Sequence, residues 1–105
     1  MSTIALSRHE VVGRIRQLEP ELRAHGVRRL ALFGSFARNE QHADSDVDFL
    51  VEFAPGRKTF NDFIAVGDLL EDSLGRRIEL LTPESLSPHI GPHILQEAQD
   101  VVAAD

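Results

Sequence analysis

The sequence predicts an α+β domain in which a small mixed β-sheet packs against helices. Two apolar runs of strand length lie at 28–33 and 47–53, and a third follows at 76–81. Segments with helical periodicity stand before, between and after these runs. The order helix, strand, strand, helix, strand, helix is typical of a layered sheet. At 105 residues, we expect the whole chain, 1–105, to form one domain with one core.

The first predicted helix begins at Ser7. Ser7 and Glu10 have the spacing of a capping box, in which each side chain binds the other residue's backbone N–H. Apolar residues follow at helical spacing and form one stripe: Val11, Ile15, Leu18 and Leu22. Pro20 should kink this helix or separate its last turn, and Gly26 is placed to end it.

The first two strands follow this helix. The segment "RRLALF" at 28–33 is bounded by Gly26 and Gly34 and is too short for a helix, so it predicts a buried strand. In the segment 47–53 apolar residues alternate, which predicts a strand with one strongly hydrophobic face. The residues of that face are Val47, Phe49, Val51 and Phe53. Asp46 and Asp48 belong to the opposite face.

A second helix, a third strand and a last helix complete the prediction. Thr59 with Asp62 can cap the second helix, and Gly75 can end it. The predicted buried side of this helix comprises Phe60, Phe63, Ile64, Gly67, Leu70 and Leu74. The segment "RRIELL" at 76–81 predicts a strand that presents Glu79 on one face. Beyond Pro83 we expect a helix near residues 90–100.

Composition narrows the classes of function. Seventeen acidic and eleven basic residues give a net charge of −6, which argues against a broad surface for direct nucleic-acid binding. No segment reaches the roughly 18 consecutive apolar residues of a membrane span. The N-terminus does not have the pattern of a signal peptide. We therefore expect a cytoplasmic protein, and the absence of cysteine agrees with this expectation.

Asp46 and Asp48 form a candidate metal site. Residues i and i+2 of a strand point the same way, with Cα atoms about 6.6 Å apart. Two ionised carboxylates about 5 Å apart repel by roughly 3 kcal/mol at an effective dielectric constant near 20, and a bound cation removes that repulsion. Mg²⁺ suits this arrangement because it takes one or two protein carboxylates and completes its shell with water and substrate phosphates.

Gly34 and Ser35 form a candidate phosphate site. A glycine directly after a strand lets a ligand approach the backbone and leaves N–H groups available at the start of the following turn. Ser35 adds a hydroxyl donor, and Arg38 could reach over the same pocket to a phosphate oxygen. An isolated Gly-Ser pair is also compatible with a simple turn.

These residues together carry a resemblance to a known family. Gly34-Ser35, ten intervening residues and Asp46-Val47-Asp48 reproduce the G-S-x(10)-D-x-D signature of the DNA polymerase β-like nucleotidyltransferases. With "LALFGSFARNEQHADSDVDFLVEF" and "GRRIELLTPESL", residues 10 to 100 resemble the minimal nucleotidyltransferases (MNT), which occur as antitoxins paired with HEPN toxins.

The resemblance implies a fold, a reaction and a set of roles. It implies that ATP binds with two Mg²⁺ ions, with its phosphates near Gly34 and Ser35, and that a hydroxyl attacks the α-phosphorus and expels pyrophosphate. The family's third metal-binding carboxylate matches Glu79, where the family commonly has aspartate. Glu79 could instead be a solvated strand residue that pairs with Arg76 or Arg77.

Two functions remain open at this point. In the first, as the resemblance implies, the chain transfers AMP to a hydroxyl of a HEPN ribonuclease toxin, that of a tyrosine. In the second, the chain neutralises the toxin by binding and covering it, without catalysis. The two differ in whether Asp46 and Asp48 are needed for neutralisation.

Overall fold

A computed structural model describes residues 6–57 and 59–103 and contains helices on both faces of a four-stranded sheet. The helices are α1 (Arg8–Gln17), α2 (Glu19–Ala24), α3 (Phe60–Leu74) and α4 (Gly91–Glu97), with a 3-10 turn at Pro83–Ser85. The strands are β1 (Val27–Phe33), β2 (Val47–Phe53), β3 (Ile78–Leu81) and β4 (Gln99–Val102). Within the described ranges, no helix is long and apolar enough to cross a membrane.

The sheet is mixed, as predicted. Its strand order is β3-β2-β1-β4, with β1 antiparallel to both β2 and β4, and β2 parallel to β3. In this register Asp48 lies opposite Phe33 at the end of β1 and opposite Glu79 on β3. The sheet therefore places the start of β2 beside the loop that leaves β1.

The two faces of the sheet differ in how they are covered. The alternating residues Val47, Phe49 and Val51 are buried in the main core, together with apolar residues of α1, α2 and α3. The opposite face carries a smaller cluster of Ala31, Phe33, Leu50 and Ile94, the last from α4. Asp48 is two residues before Leu50, so its side chain belongs to this second face, near α4.

Both signals at the first predicted helix are confirmed. Ser7 and Glu10 form the capping box, with Ser7 Oγ accepting from the Glu10 N–H at 3.1 Å. Pro20 lies in the first turn of α2, so the single predicted helix is divided into α1 and α2. A helix tolerates proline in its first turn, but in the interior proline lacks the N–H that would donate to the carbonyl four residues earlier. This explains the division.

The predicted helix near 90–100 is wrong in its second half. α4 ends at Glu97, and 99–102 form β4, which pairs with β1 through Leu30 and Val102. Ile94 and Val101 are both buried and seven residues apart, which imitates helical periodicity. The unpaired edge of β1 accepts this short segment as a strand.

The predicted buried side of α3 is also partly wrong. Leu70 and Leu74 are buried as expected, and Phe63 is partly buried against the main core. Val66, which was outside the predicted stripe, is buried as well. Phe60 is 78% exposed and Ile64 is 45% exposed. Both residues lie in the first turns of α3, and apolar spacing alone did not reveal their exposure.

The cap of α3 gives a first testable prediction. Thr59 Oγ1 accepts a hydrogen bond from the Asp62 N–H at 3.1 Å. Thr59→Ala should lower the free energy of unfolding by about 1 kcal/mol, because one N–H of the first turn loses its acceptor. Thr59→Ser keeps the hydroxyl and should recover most of the loss. Urea unfolding measures both, and equal midpoints for the two variants would contradict the capping role.

Candidate active site

The loop after β1 brings Gly34 against the side chain of Asp48. Gly34 has a φ of +77°, in the left-handed region that favours glycine. A Cβ added to Gly34 would collide with the Asp48 carboxylate and would lie 3.1 Å from its Cγ. The glycine predicted to admit a ligand to the backbone therefore first admits a carboxylate of the protein itself. This contact joins the predicted phosphate site to the predicted metal site.

Backbone N–H groups line the start of this loop. The N–H groups of Ser35 and Phe36 have no acceptor among the residues that the structure describes, and Ser35 Oγ likewise has no partner there. The Gly34 N–H is not free as predicted, because it donates to Glu97 Oε1 at 2.7 Å. The N–H groups of Ser35 and Phe36, with the Ser35 hydroxyl, can bind an oxyanion.

Asp48 is the most perturbed carboxyl group of the site. It is partly buried, and its carboxylate has no hydrogen bond or ion pair in the described part of the chain. Burial, and after it the charges of Glu79 and Asp46, raise the pKa of Asp48 to about 6, while Arg38 opposes the rise. The site therefore concentrates negative charge that the protein leaves largely uncompensated.

Glu79 and Asp46 take different positions beside Asp48. Glu79 is exposed and is the register neighbour of Asp48 on the parallel strand β3, where adjacent strands lie about 4.8 Å apart. Asp46 precedes β2 and lies 3.6 Å from Arg77 Nε, an ion pair between two exposed side chains. The alternative in which Arg77 pairs with Glu79 is not observed; Arg77 pairs with Asp46.

The carboxylates fit a hard cation that also binds a substrate. Over 6–57 and 59–103, no three His, Cys, Asp or Glu side chains converge as a ready-made cage. Asp46 is paired with Arg77, whereas Asp48 and Glu79 are neighbours in the register of β2 and β3. Mg²⁺ usually binds through one or two carboxylates and substrate phosphates, and such a site needs no cage. The uncompensated charge on Asp48 supports the same conclusion.

Arg38 lies at the outer edge of the site. Its side chain is 48% exposed; Nε donates to Glu40 at 2.7 Å and Nη1 donates to both oxygens of Glu97 at 3.1 Å. The hydrogen bonds that Arg38 donates to Glu40, and then those to Glu97, raise the pKa of Arg38 above its usual value. Arg38 therefore stays cationic beside the Gly34 N–H, as its predicted phosphate role requires.

Two residues of the site were not assigned a role from the sequence. Glu97 is 63 residues from Gly34 in the chain, so no local pattern connects them. The Arg76 guanidinium lies 5.7 Å from the centre of the Phe36 ring and donates to the Ala43 carbonyl. Arg76 thereby ties the loop between β1 and β2 to the start of β3. The pair Arg76-Arg77 had suggested only partners for Glu79.

Known proteins are similar to this chain in sequence. Residues 15–101 match the family model described as a nucleotidyltransferase domain. A Methanocaldococcus jannaschii protein, provisionally named protein adenylyltransferase MJ0435, is 45% identical over 87 residues, which cover 83% of this chain and 92% of the relative.

Solved structures share the fold of this chain. A structure described provisionally as a minimal nucleotidyltransferase has a TM-score of 0.77 and 33% identity, with 89% of this chain and 94% of that chain covered. A tri-AMPylated Shewanella oneidensis HEPN toxin in complex with MNT antitoxin has a TM-score of 0.64 at 17% identity, with 92% and 73% covered, and this likeness is one of fold.

Proposed function

Since this chain belongs to the nucleotidyltransferase domain family, in its minimal form, we propose that it is an antitoxin that transfers AMP from ATP to a HEPN toxin. The predicted phosphate site, Gly34 and Ser35 with Arg38 beside them, is called the phosphate corner below. One observation carries the proposal: Gly34, from this corner, packs directly on Asp48, from the predicted metal site. A triphosphate at the corner would therefore meet the carboxylates at its own phosphates. A corner and a carboxylate pair at opposite ends of the sheet would not support this chemistry.

Each residue of the site has a role in the proposed reaction. The N–H groups of Ser35 and Phe36, the Ser35 hydroxyl and Arg38 would bind the β- and γ-phosphates. Asp48 and Glu79, with Asp46, would hold Mg²⁺. When bound, Mg²⁺ neutralises charge on the phosphates and on the attacking oxygen. The chain's own contribution is to hold these groups in place around the α-phosphorus.

The proposed acceptor is a tyrosine hydroxyl of the toxin. Its oxygen forms a bond to the α-phosphorus, the bond to the β-phosphate oxygen breaks, pyrophosphate leaves, and the hydroxyl proton passes to Glu79. Glu79 is exposed, so an acceptor on another protein can reach it. A neighbour of this fold is an MNT antitoxin in complex with an AMPylated HEPN toxin, which supports the choice of partner.

Mass spectrometry of a HEPN-domain protein encoded beside this chain tests the proposal. After incubation with this protein, ATP and Mg²⁺, the toxin should gain the mass of one or more AMP units, and tandem spectra should place them on tyrosine. Asp46→Ala should reduce the gain by at least about 100-fold, because a group that positions the reacting phosphate is removed. Asp44→Ala, an exposed carboxylate of the same loop, is the matched control and should leave the gain unchanged.

The second function, masking without catalysis, has one observation in its favour. Phe60, Ile64 and Phe63 border cavities of about 230 and 340 Å³ along α3 and β3, and Phe60 is largely exposed. Such an apolar surface can bind a partner. A stable complex that silences the toxin with no gain in mass, and equally with Asp46→Ala, would establish masking and would point to Glu79 as the residue that prevents turnover.

A further inference from the structure

The Glu97 carboxylate occupies the phosphate corner of the candidate site. Glu97 Oε1 accepts from the Gly34 N–H at 2.7 Å, and both carboxylate oxygens accept from Arg38 Nη1 at 3.1 Å. A backbone N–H beside a guanidinium is the donor set that recognises a phosphate oxygen. A side chain of the protein thus holds donors that a triphosphate would use.

Glu97 and a phosphate oxygen exclude each other at this corner. A backbone N–H carries one hydrogen, and at 2.7 Å that hydrogen is fully engaged by Glu97. Gly34 is also in contact with the Asp48 carboxylate. An incoming phosphate would therefore meet two carboxylates around one glycine. Of these two, only Glu97 accepts the hydrogen bond from the Gly34 N–H.

The local structure of α4 does not explain the position of Glu97. Glu97 is the last residue of α4, and a carboxylate at the C-terminal end of a helix lies beside the negative end of the helix dipole. The favourable contacts of its charge come from Gly34 and Arg38. The side chain is 31% exposed, so it has a path from the corner into solvent.

We propose that Glu97 is an internal competitor of the nucleotide, which fills the phosphate corner until a triphosphate displaces it. This inference rests on the proposed function, since it concerns the same corner. A displaced Glu97 releases the Gly34 N–H and Arg38 Nη1 together. A ligand gains from this exchange only if its charge exceeds that of the carboxylate it replaces, so Glu97 makes the site select polyphosphates over singly charged anions.

Glu97→Gln tests the competitor role. The glutamine amide has the same size and can still accept from the Gly34 N–H, but it is neutral and holds Gly34 and Arg38 less strongly. We expect the dissociation constant of ATP, measured by isothermal titration calorimetry with Mg²⁺ present, to fall about tenfold, or about 1.4 kcal/mol. Inorganic triphosphate should show the same gain, because the corner contacts phosphate and not the base.

Glu40→Gln is the matched control. Glu40 binds Arg38 Nε at 2.7 Å but does not contact Gly34, so its substitution loosens Arg38 without opening the corner, and the dissociation constant should change less than about threefold. Binding by Glu97→Gln that is equal to or weaker than that of the wild type would overturn the proposal and make Glu97 a fixed support of Arg38.

The transfer assay separates this failure from failure of the proposed function. If the wild type AMPylates the toxin and Glu97→Gln binds ATP no more tightly, only the competitor role is lost. If neither protein binds ATP or inorganic triphosphate, and no AMP is transferred, both inferences are overturned.

Discussion

Replacing Asp48 with asparagine is expected to abolish AMP transfer and, in the same protein, to increase stability. Transfer should fall by at least about 100-fold, because a neutral amide replaces the central carboxylate of the site. Stability should rise because the Asp48 carboxylate is partly buried, lies near Glu79 and Asp46, and has no hydrogen bond within the described ranges. Asparagine removes the buried charge and the repulsion. The two results together would show that the site obtains its function at the expense of stability.

The pH dependence of this gain has a definite sign. The pKa of Asp48 in the folded protein is raised from 3.8 to about 6, so the protonated form is the one that the fold favours. The protonated Asp48 makes its full contribution to the free energy of unfolding below pH 3.8, and this contribution is lost as the pH rises through 6. The stability difference between Asp48→Asn and the wild type should therefore be close to zero near pH 3.5 and grow until about pH 6.5.

Urea unfolding at several pH values, with a chelator present, measures this difference. Because Asp48 is partly exposed and solvent screens its charge, we expect a gain of about 1 kcal/mol at pH 7.5, or a rise in Tm of roughly 4–8 °C. Asp44→Asn controls for loss of a loop carboxylate and should change stability little at any pH. A destabilised Asp48→Asn at pH 7.5 would show that the carboxylate is a net support of the fold.

The elements that could be predicted from sequence are those fixed by local patterns. β2 has the predicted bounds, and the alternating residues Val47, Phe49 and Val51 are buried on one face as predicted, while Leu50 is buried on the other. α3 begins and ends as predicted because Thr59 and Gly75 are local cap signals. β4 was missed because it depends on a partner: four residues become a strand only where β1 offers an open edge.

The candidate site divides in the same way. The G-S-x(10)-D-x-D spacing brought Gly34 and Asp48 together in the prediction, since both lie at ends of neighbouring strands, and the structure places them in contact. Three features depended on side chains that meet only after folding. These are the contact of Asp46 with Arg77, the stacking of Arg76 on Phe36, and the occupation of the corner by Glu97. No spacing in the sequence encodes them.

Gly34→Ala is expected to be the most destabilising of the substitutions considered. The left-handed backbone costs an alanine about 1–2 kcal/mol, and the collision of its Cβ with the Asp48 carboxylate adds about 1–3 kcal/mol. The expected loss is therefore about 2–5 kcal/mol in the free energy of unfolding, within the roughly 5–15 kcal/mol by which folded domains are stable. Transfer should be lost as well, because the corner and Asp48 must move apart.

Gly56→Ala separates the two causes of this loss. Gly56 has the same φ of +77°, but no atom lies within 4 Å of a Cβ added there, so alanine should cost only the backbone term of about 1–2 kcal/mol. Urea unfolding of both variants gives the steric term by difference.

A double-mutant cycle then assigns the steric term to Asp48. Combining Gly34→Ala with Asp48→Ala removes the colliding carboxylate, so the double mutant should recover about 1–3 kcal/mol relative to the sum of the single changes. Recovery of this size shows that Gly34 is required because Asp48 needs its space, which makes the corner and the carboxylate one structural unit. Additive changes, with Gly34→Ala no worse than Gly56→Ala, would mean that the loop gives way and that the two groups are positioned independently.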